Sequence, residues 1–295
     1  MTRDDCDIGK YLLETRECVD RALTRYLKND TQMASVLHQA ACYSVLDGGK
    51  RLRPILTLAA GELFGAKRQL LLPFACAIEL IHCYSLIHDD LPALDNDDLR
   101  RGKLACHKRF GEGIALLAGD ALLTEAFLIM SDPNVTRRLR GPRASELIRE
   151  VASAASIRGM IGGQSTELDL VKDKVTTAML ESMDRLKTGA LITTAARVGA
   201  MIGKATRKDL ERVTRYAQAL GLAFQLTDDI LDAHEISTDS HDHKGIANYL
   251  SVAGPVRTSE RVQALLSESL REMEYYGSGA EPLRAIARYI AERDR

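Results

Sequence analysis

Five aspartates fall within ten residues in the segment 88–101, HDDLPALDNDDLRR: Asp89, Asp90, Asp95, Asp97 and Asp98. Carboxylates packed this closely repel one another, and the repulsion costs free energy unless water or cations relieve it. A hydrated acidic loop would relieve it, and so would bound divalent ions. Two features favour ions: the cluster directly follows the apolar run IELIHCYSLI, and Arg100-Arg101 follows at once. Mg²⁺ held by carboxylate oxygens can bridge to a polyphosphate, while guanidinium groups clamp the remaining phosphate oxygens. An EF-hand is excluded, because its Asp-x-Asp-x-Asp-Gly spacing and closing Glu are missing. Asp89 and Asp95 are six residues apart, so an unbroken helix would not put them on one face. Pro92 lies between them and disfavours helix at Leu91, so a local bulge has to bring them together.

A second cluster lies at 224–232, FQLTDDILD. On an ideal helix Gln225, Asp228, Asp229 and Asp232 span roughly a 100° arc, leaving Leu222, Leu226, Ile230 and Leu231 free to pack. Three carboxylates on one stripe of an apolar helix are costly to bury unless metal-bound, though a solvated face would carry them too. Basic groups recur at fixed places. GGKRLRP at 48–54 concentrates Lys50, Arg51 and Arg53 after two glycines, as a solvated basic turn or an anion site; it is not a P-loop. His82 lies seven residues before Asp89 on one helix face, as a core histidine or a ligand contact. Lys187-Thr188-Gly189 interrupts an apolar helix, where the lysine either snorkels to water or meets a phosphate.

The elements that must position these groups read as helices almost throughout. Apolar spacing of three and four predicts helices over 9–28, 33–47, 54–64, 70–88, 113–130, 143–170, 176–202, 207–231, 258–275 and 281–292. No run alternates with period two. The breaks fall at Gly48-Gly49, Pro92, Ser131-Asp132-Pro133 and Gly141-Pro142. The expectation is a single all-α, bundle-like domain over residues 1–295. Within it, 33–233 carry both acidic clusters, 234–247 form a polar mobile loop, and 248–295 supply C-terminal helices. The composition agrees: 45% of the 295 residues are hydrophobic, only 5% are aromatic and there is no Trp, as suits an Ala/Leu-rich helical core. A net charge of −1 argues against a nucleic-acid-coating protein. Six cysteines without a Cys-x-x-Cys pair read as free thiols of a cytoplasmic protein. No leader-like core opens the chain, and no apolar run of about 18 residues is expected to span a membrane.

These pieces, in this order, resemble the trans-prenyltransferase family of farnesyl and geranylgeranyl diphosphate synthases. GGKRLRP, IELIHCYSLIHDDLPALDNDDLRRGK, LLAGDALLTEAF, GMIGGQSTEL, KTGALI and FQLTDDILD carry the likeness over about residues 44 to 233. The resemblance implies helices around a central cavity and a homodimer. It implies that Asp89, Asp95 and Asp228 hold Mg²⁺ (about three ions per site, with Mn²⁺ able to replace them) against an allylic diphosphate, supported by Asp90 and Asp232. Arg100 would touch that diphosphate, while Lys50, Arg53, His82 and Arg101 would hold isopentenyl diphosphate. Lys187 would bind the departing diphosphate, and Thr188 and Gln225 would turn oxygens toward the allylic cation.

Product length is also implied. The family position five before the first aspartate is Tyr84, a bulky cavity floor that favours a C15 product. An ideal helical wheel puts Ser85 more nearly beneath Asp89. The two additional residues inside DDLPALD resemble bacterial farnesyl synthases and some geranylgeranyl synthases, so C20 is the second expectation. After DDILD the chain departs from the family. AHEISTDSHDHKGIANYLSVAG places Ile246 where a lysine is usual, with Lys244 displaced by two as the nearest diphosphate contact. His234, His241 and His243 in this stretch read as a solvated loop in preference to a metal site. A terpene cyclase or head-to-head enzyme would not need GGKRLRP, and a non-catalytic subunit would not need both aspartate motifs.

Overall fold

The computed structural model describes residues 8–28, 35–170, 175–236 and 247–291. Its α-helices are α1 (Ile8–Tyr26), α2 (Ser35–Leu46), α3 (Leu52–Leu63), α4 (Arg68–Asp89), α5 (Cys106–Phe110), α6 (Glu112–Ser131), α7 (Pro133–Arg138) and α8 (Pro142–Ala155). There follow α9 (Met160–Asp169), α10 (Thr177–Asp184), α11 (Ala190–Ile202), α12 (Arg207–Ile236), α13 (Tyr249–Ala253), α14 (Pro255–Glu274) and α15 (Glu281–Ala291). One continuous apolar core runs from Val19 of α1 to Ile290 of α15, so the fold is a single all-α domain.

Helix α4 is apolar around most of its circumference and is accordingly buried on nearly all sides, from Leu71 to Ile87. It packs against α6 and α3; α3 packs on α11, α11 on α12, and α12 on α14. A wholly buried α4 residue such as Leu80, truncated to Ala, would cost ~2–5 kcal/mol, because so close-packed a centre cannot collapse onto the void. The outer helices are amphipathic: α15 buries Leu283, Ile286, Ala287 and Ile290, spaced by three, one and three.

Several boundaries depart from the periodicity. The stretch 143–170 is two helices, broken at residues 156–159. The stretch 176–202 is interrupted by a π-helical turn over Arg185–Gly189, joining α10 to α11. Helix α12 continues to Ile236, so the loop expected from 234 begins as helix, and 237–246 lie outside the described residues. Helices α5, α7 and α13 are too short to show a period. They announce themselves by caps instead: Asp132 accepts from the amide of Asn134 at 2.7 Å ahead of Pro133, and Asn248 with Ser251 forms a capping box. A two-residue antiparallel ribbon, β1 (Leu99–Arg100) with β2 (Lys103–Leu104), stands where no strand was expected.

Two helices are nonetheless more apolar along their length than the runs in the sequence suggest. Arg68–Asp89 and Glu112–Arg138 are long and apolar enough to cross a membrane by length and composition, with mean hydropathy 1.9 and 1.7. Counting uninterrupted apolar runs missed them because scattered polar residues break each run. The first is the central core helix, 72% buried; the second is only 39% buried, because α6 leaves Leu116, Leu117 and Leu128 exposed.

Candidate active site

The chain first turns sharply at GGKRLRP. Gly48 and Gly49 take φ of 90° and 112°, and Arg51 takes 51°. Arg51 holds this strained backbone from inside. Its wholly buried guanidinium donates to Asp20 Oδ1 at 2.8 Å, Glu79 Oε1 at 2.9 Å and the Val45 carbonyl at 2.6 Å. Lys50 and Arg53, on either side, line a cavity of about 1440 Å³. A Cβ at Gly49 would come within 2.8 Å of the Arg101 guanidinium, so only glycine lets Arg101 lie here and donate to the Gly48 carbonyl at 2.9 Å. Arg53 is buried, and its Nε–H has no hydrogen-bond partner among the described residues. Burial, with Arg101 nearby, lowers its pKa despite Glu79. Burial and the Arg53 and Arg101 charges hold the His82 ring well below the usual imidazole range. A neutral imidazole beside converging cations with an unspent buried donor makes a pocket for an anion.

At the end of α4 the two key aspartates are brought together as the spacing required. The helix stops at Asp89, the chain coils through Pro92, and the amide of Asp95 donates to the Asp89 carbonyl at 2.8 Å. Asp89 and Asp95 line the cavity. Asp90 does not: it is 2% exposed and accepts from Arg100, whose Nε approaches at 2.8 Å and whose other arm reaches Asp97 at 3.1 Å. Asp90 thus serves to place Arg100, which does line the cavity, as does Arg101.

A second wall is made by α9, the π turn and α12. The wider π turn carries Lys187 and Thr188 into the cavity. Gly163 of α9 permits this approach, since a Cβ there would sit 2.3 Å from the Lys187 amide nitrogen. Lys187 forms an ion pair with Glu167 of α9. On α12, Gln225, Asp228 and Asp232 line the cavity, but Asp229 is turned aside and 6% exposed, so the expected stripe is divided. Thr188 Oγ1 donates to Gln225 Oε1 at 2.8 Å, and Gln225 Nε2 donates to Asp229 Oδ1 at 3.1 Å.

Burial, reinforced by Asp95 and Glu167, raises Asp89 to about 7 against the pull of Lys187 and Arg100. Asp184 rises to about 8 through burial, Asp229 and Glu167, and Asp229 to about 6 through burial, Asp232 and Glu167. Asp95 is raised mainly by burial. Acids held this far up crave a cation. The donors are all carboxylate oxygens, which suits a hard ion. Among the described residues no group of three or more His, Cys, Asp or Glu gathers tightly enough to hold a metal alone. Mg²⁺, which retains water and shares its shell with substrate phosphates, fits such a set.

Below this polar mouth the cavity is lined by Leu86, Leu94, Phe224 and Ile55, with Tyr84 and Ser85 of α4 among them. Tyr84 is 5% exposed, its hydroxyl has no hydrogen-bond partner among the described residues, and its ring meets His88 edge-on at 5.7 Å. Of the residues singled out in the sequence, Asp90 stands behind the wall, and Lys244 lies outside the described residues, as do His241 and His243. Sequence reasoning missed Glu167 and Asp184. Glu167 sits in GGQSTEL, a polar interruption of an apolar helix, and Asp184 stands three residues before Lys187; neither spacing by itself pointed inward.

An all-helical domain with two carboxylate-bearing walls, a cationic pocket and an apolar recess defines a prenyltransferase of the trans type. The polyprenyl synthetase model matches residues 34–247, and the chain belongs to that family. Similar proteins include the farnesyl diphosphate synthase of Escherichia coli (strain K12), 40% identical over 94% of this chain and 95% of that one. The geranylgeranyl diphosphate synthase of Cyanophora paradoxa is 39% identical over 96% of each. Among solved structures, an FPP/GFPP synthase from Zymomonas mobilis superposes with a TM-score of 0.87 at 36% identity, covering 96% of this chain and 98% of that one.

Proposed function

We propose that the chain condenses isopentenyl diphosphate head-to-tail with dimethylallyl or geranyl diphosphate, releasing diphosphate and forming farnesyl diphosphate. The observation that carries this reading is one cavity lined at once by Asp89, Asp95, Asp228 and Asp232, by Lys50, Arg53, His82 and Arg101, and by apolar side chains below them. Asp89, Asp95 and Asp228, with Asp232 in support, would hold Mg²⁺, which when bound neutralises the charge gathering on the leaving diphosphate. Arg100, steadied by Asp90, and Lys187 grip the same diphosphate. Arg53, with its unspent donor, and Arg101, Lys50 and neutral His82 seat isopentenyl diphosphate so that its double bond faces the allylic carbon. The allylic carbon–oxygen bond breaks with its electron pair leaving on diphosphate. The double bond of isopentenyl diphosphate supplies the new carbon–carbon bond, and a proton is lost to the released diphosphate. Thr188 and Gln225 offer oxygen dipoles to the intervening cation, and the recess around Phe224 keeps water away.

Similarity does not choose between C15 and C20, since relatives named for each match at 40% and 39%. C15 is the reading we favour: Tyr84 lines the cavity with its ring edge-on to His88, and a ring there would stop a longer chain. Tyr84→Ala should shift the longest product by one or more five-carbon units, read by chromatography of products made from labelled isopentenyl diphosphate and Mg²⁺; an unchanged distribution removes Tyr84 as the floor. The same assay on the unaltered chain tests the whole reading, which fails if no prenyl diphosphate forms. Leu116, Leu117 and Leu128 stand exposed on α6 beside the polar Asp120 and Thr124, and large apolar side chains left bare on one helix support a homodimer.

A further inference from the structure

We infer that Asp229 is a positioning residue, which fixes the direction of the Thr188–Gln225 hydrogen-bond relay and so decides that oxygen lone pairs, not hydrogens, face the reacting carbon. This rests on the proposed prenyl transfer and adds to it the one aspartate of the second cluster that does not line the cavity.

An amide's two ends have nearly the same shape, so its orientation is set by its partners. Asp229, as a carboxylate, can only accept. The Gln225 Nε2 end must therefore face it, and does so at 3.1 Å. Oε1 is then turned to Thr188, which has a single hydroxyl hydrogen and spends it on Oε1 at 2.8 Å. What Thr188 has left for the cavity is lone pairs, which attract a developing carbocation. With the amide reversed, Thr188 would accept from Nε2 and point its hydrogen at the cation. Asp229 is fitted to hold the order. It stands one helical turn beyond Gln225 and is 6% exposed. It also accepts from the backbone amide of Tyr249, at the start of the capped helix α13. That amide comes from another element, so the carboxylate is fixed independently of α12's own side chains.

The test is Asp229→Asn, which keeps shape but can donate as well as accept, freeing Gln225 to turn over. We expect kcat to fall ~10–100-fold with KM for the allylic diphosphate and the half-saturating Mg²⁺ concentration unchanged. Binding of an allylic diphosphate analogue whose reacting carbon is replaced by a protonated amine should weaken ~10-fold, while an unreactive neutral thiolodiphosphate binds as before. In a Thr188→Val background, Asp229→Asn should cost less than about twofold more, since the relay has already lost its last member. A shift in Mg²⁺ dependence, a kcat within about twofold of the unaltered chain, or additive losses in the double variant would overturn the inference. Should Asp229→Asn not fold, Gln225→Leu carries the test: it keeps the helix but removes both the acceptor for Thr188 and the donor to Asp229. An undiminished kcat there sinks the relay. If the unaltered chain itself makes no prenyl diphosphate, it is the parent reading that has failed.

Discussion

Asp89 and Asp95 reach the cavity from the point where a helix ends, whereas Asp228 and Asp232 reach it from the side of a helix that continues for another turn. The second pair needs no accessory, because residues four apart on α12 share a face by helical geometry alone. The first pair is assembled. The Asp95 amide closes back onto Asp89, Asp90 and Asp97 hold Arg100, and Arg101 ties the ribbon to the glycine turn that begins α3. One cluster is therefore positioned by a period and the other by a set of individual contacts. Substitutions at Asp89 or Asp95 should disturb geometry as well as charge, while those at Asp228 or Asp232 should disturb charge alone.

The strongest way to break this comparison is to neutralise one ligand on each wall. Asp89→Asn and Asp228→Asn should each lower kcat ~10²–10³-fold, as removal of a transition-state charge partner does, and each should raise the Mg²⁺ concentration needed for half activity. A loss confined to one wall, measured by initial rates across a Mg²⁺ series, would mean that the clusters do not act together. A sharper and smaller contrast comes from Asp90→Asn. It leaves the cavity lining intact but loosens Arg100, so KM for the allylic diphosphate should rise ~10-fold with kcat changed less; a dominant kcat loss would return Asp90 to the metal shell.

The smallest effect is on stability. Asp89 at about 7, Asp184 at about 8 and Asp229 at about 6 all lie above their unfolded values. The native metal-free state thus binds protons more tightly than the unfolded chain. The stability this gives is complete below the unfolded carboxylate range and is lost as pH rises through about 6 to 8. Bound Mg²⁺ reverses the sense, since it needs the ionised acids. The rise in Tm caused by MgCl₂ with inorganic diphosphate should therefore be larger at about pH 8 than at about pH 6. Equal shifts at the two pH values would show that Asp89, the one of the three that lines the cavity, does not meet the ion.

The same contrast explains what could be read from the chain beforehand. Gln225, Asp228 and Asp232 were legible because a regular helix converts spacing into a face, and the long amphipathic helices were legible for the same reason. The split of 143–170, the π turn and the twist of Asp229 out of its stripe depend on tertiary contacts such as Gly163 against Lys187, which no local period records. Asp90 shows the limit from another side. Its place in the aspartate motif pointed to the metal, but the burial that sends it to Arg100 depends on a hairpin only two residues wide per strand. Family resemblance supplied Tyr84, which an ideal wheel ranked behind Ser85; both line the cavity.

Lys187 does not wait with an empty hand, because Glu167 already holds it. On the proposed reading, an arriving phosphate group would compete with this resident rival, and its gain would be the difference between two similar attractions. When the inorganic product departed, the ammonium would fall back on Glu167 instead of standing bare in a half-buried place. Such an exchange keeps the grip moderate and lets the pocket empty between cycles.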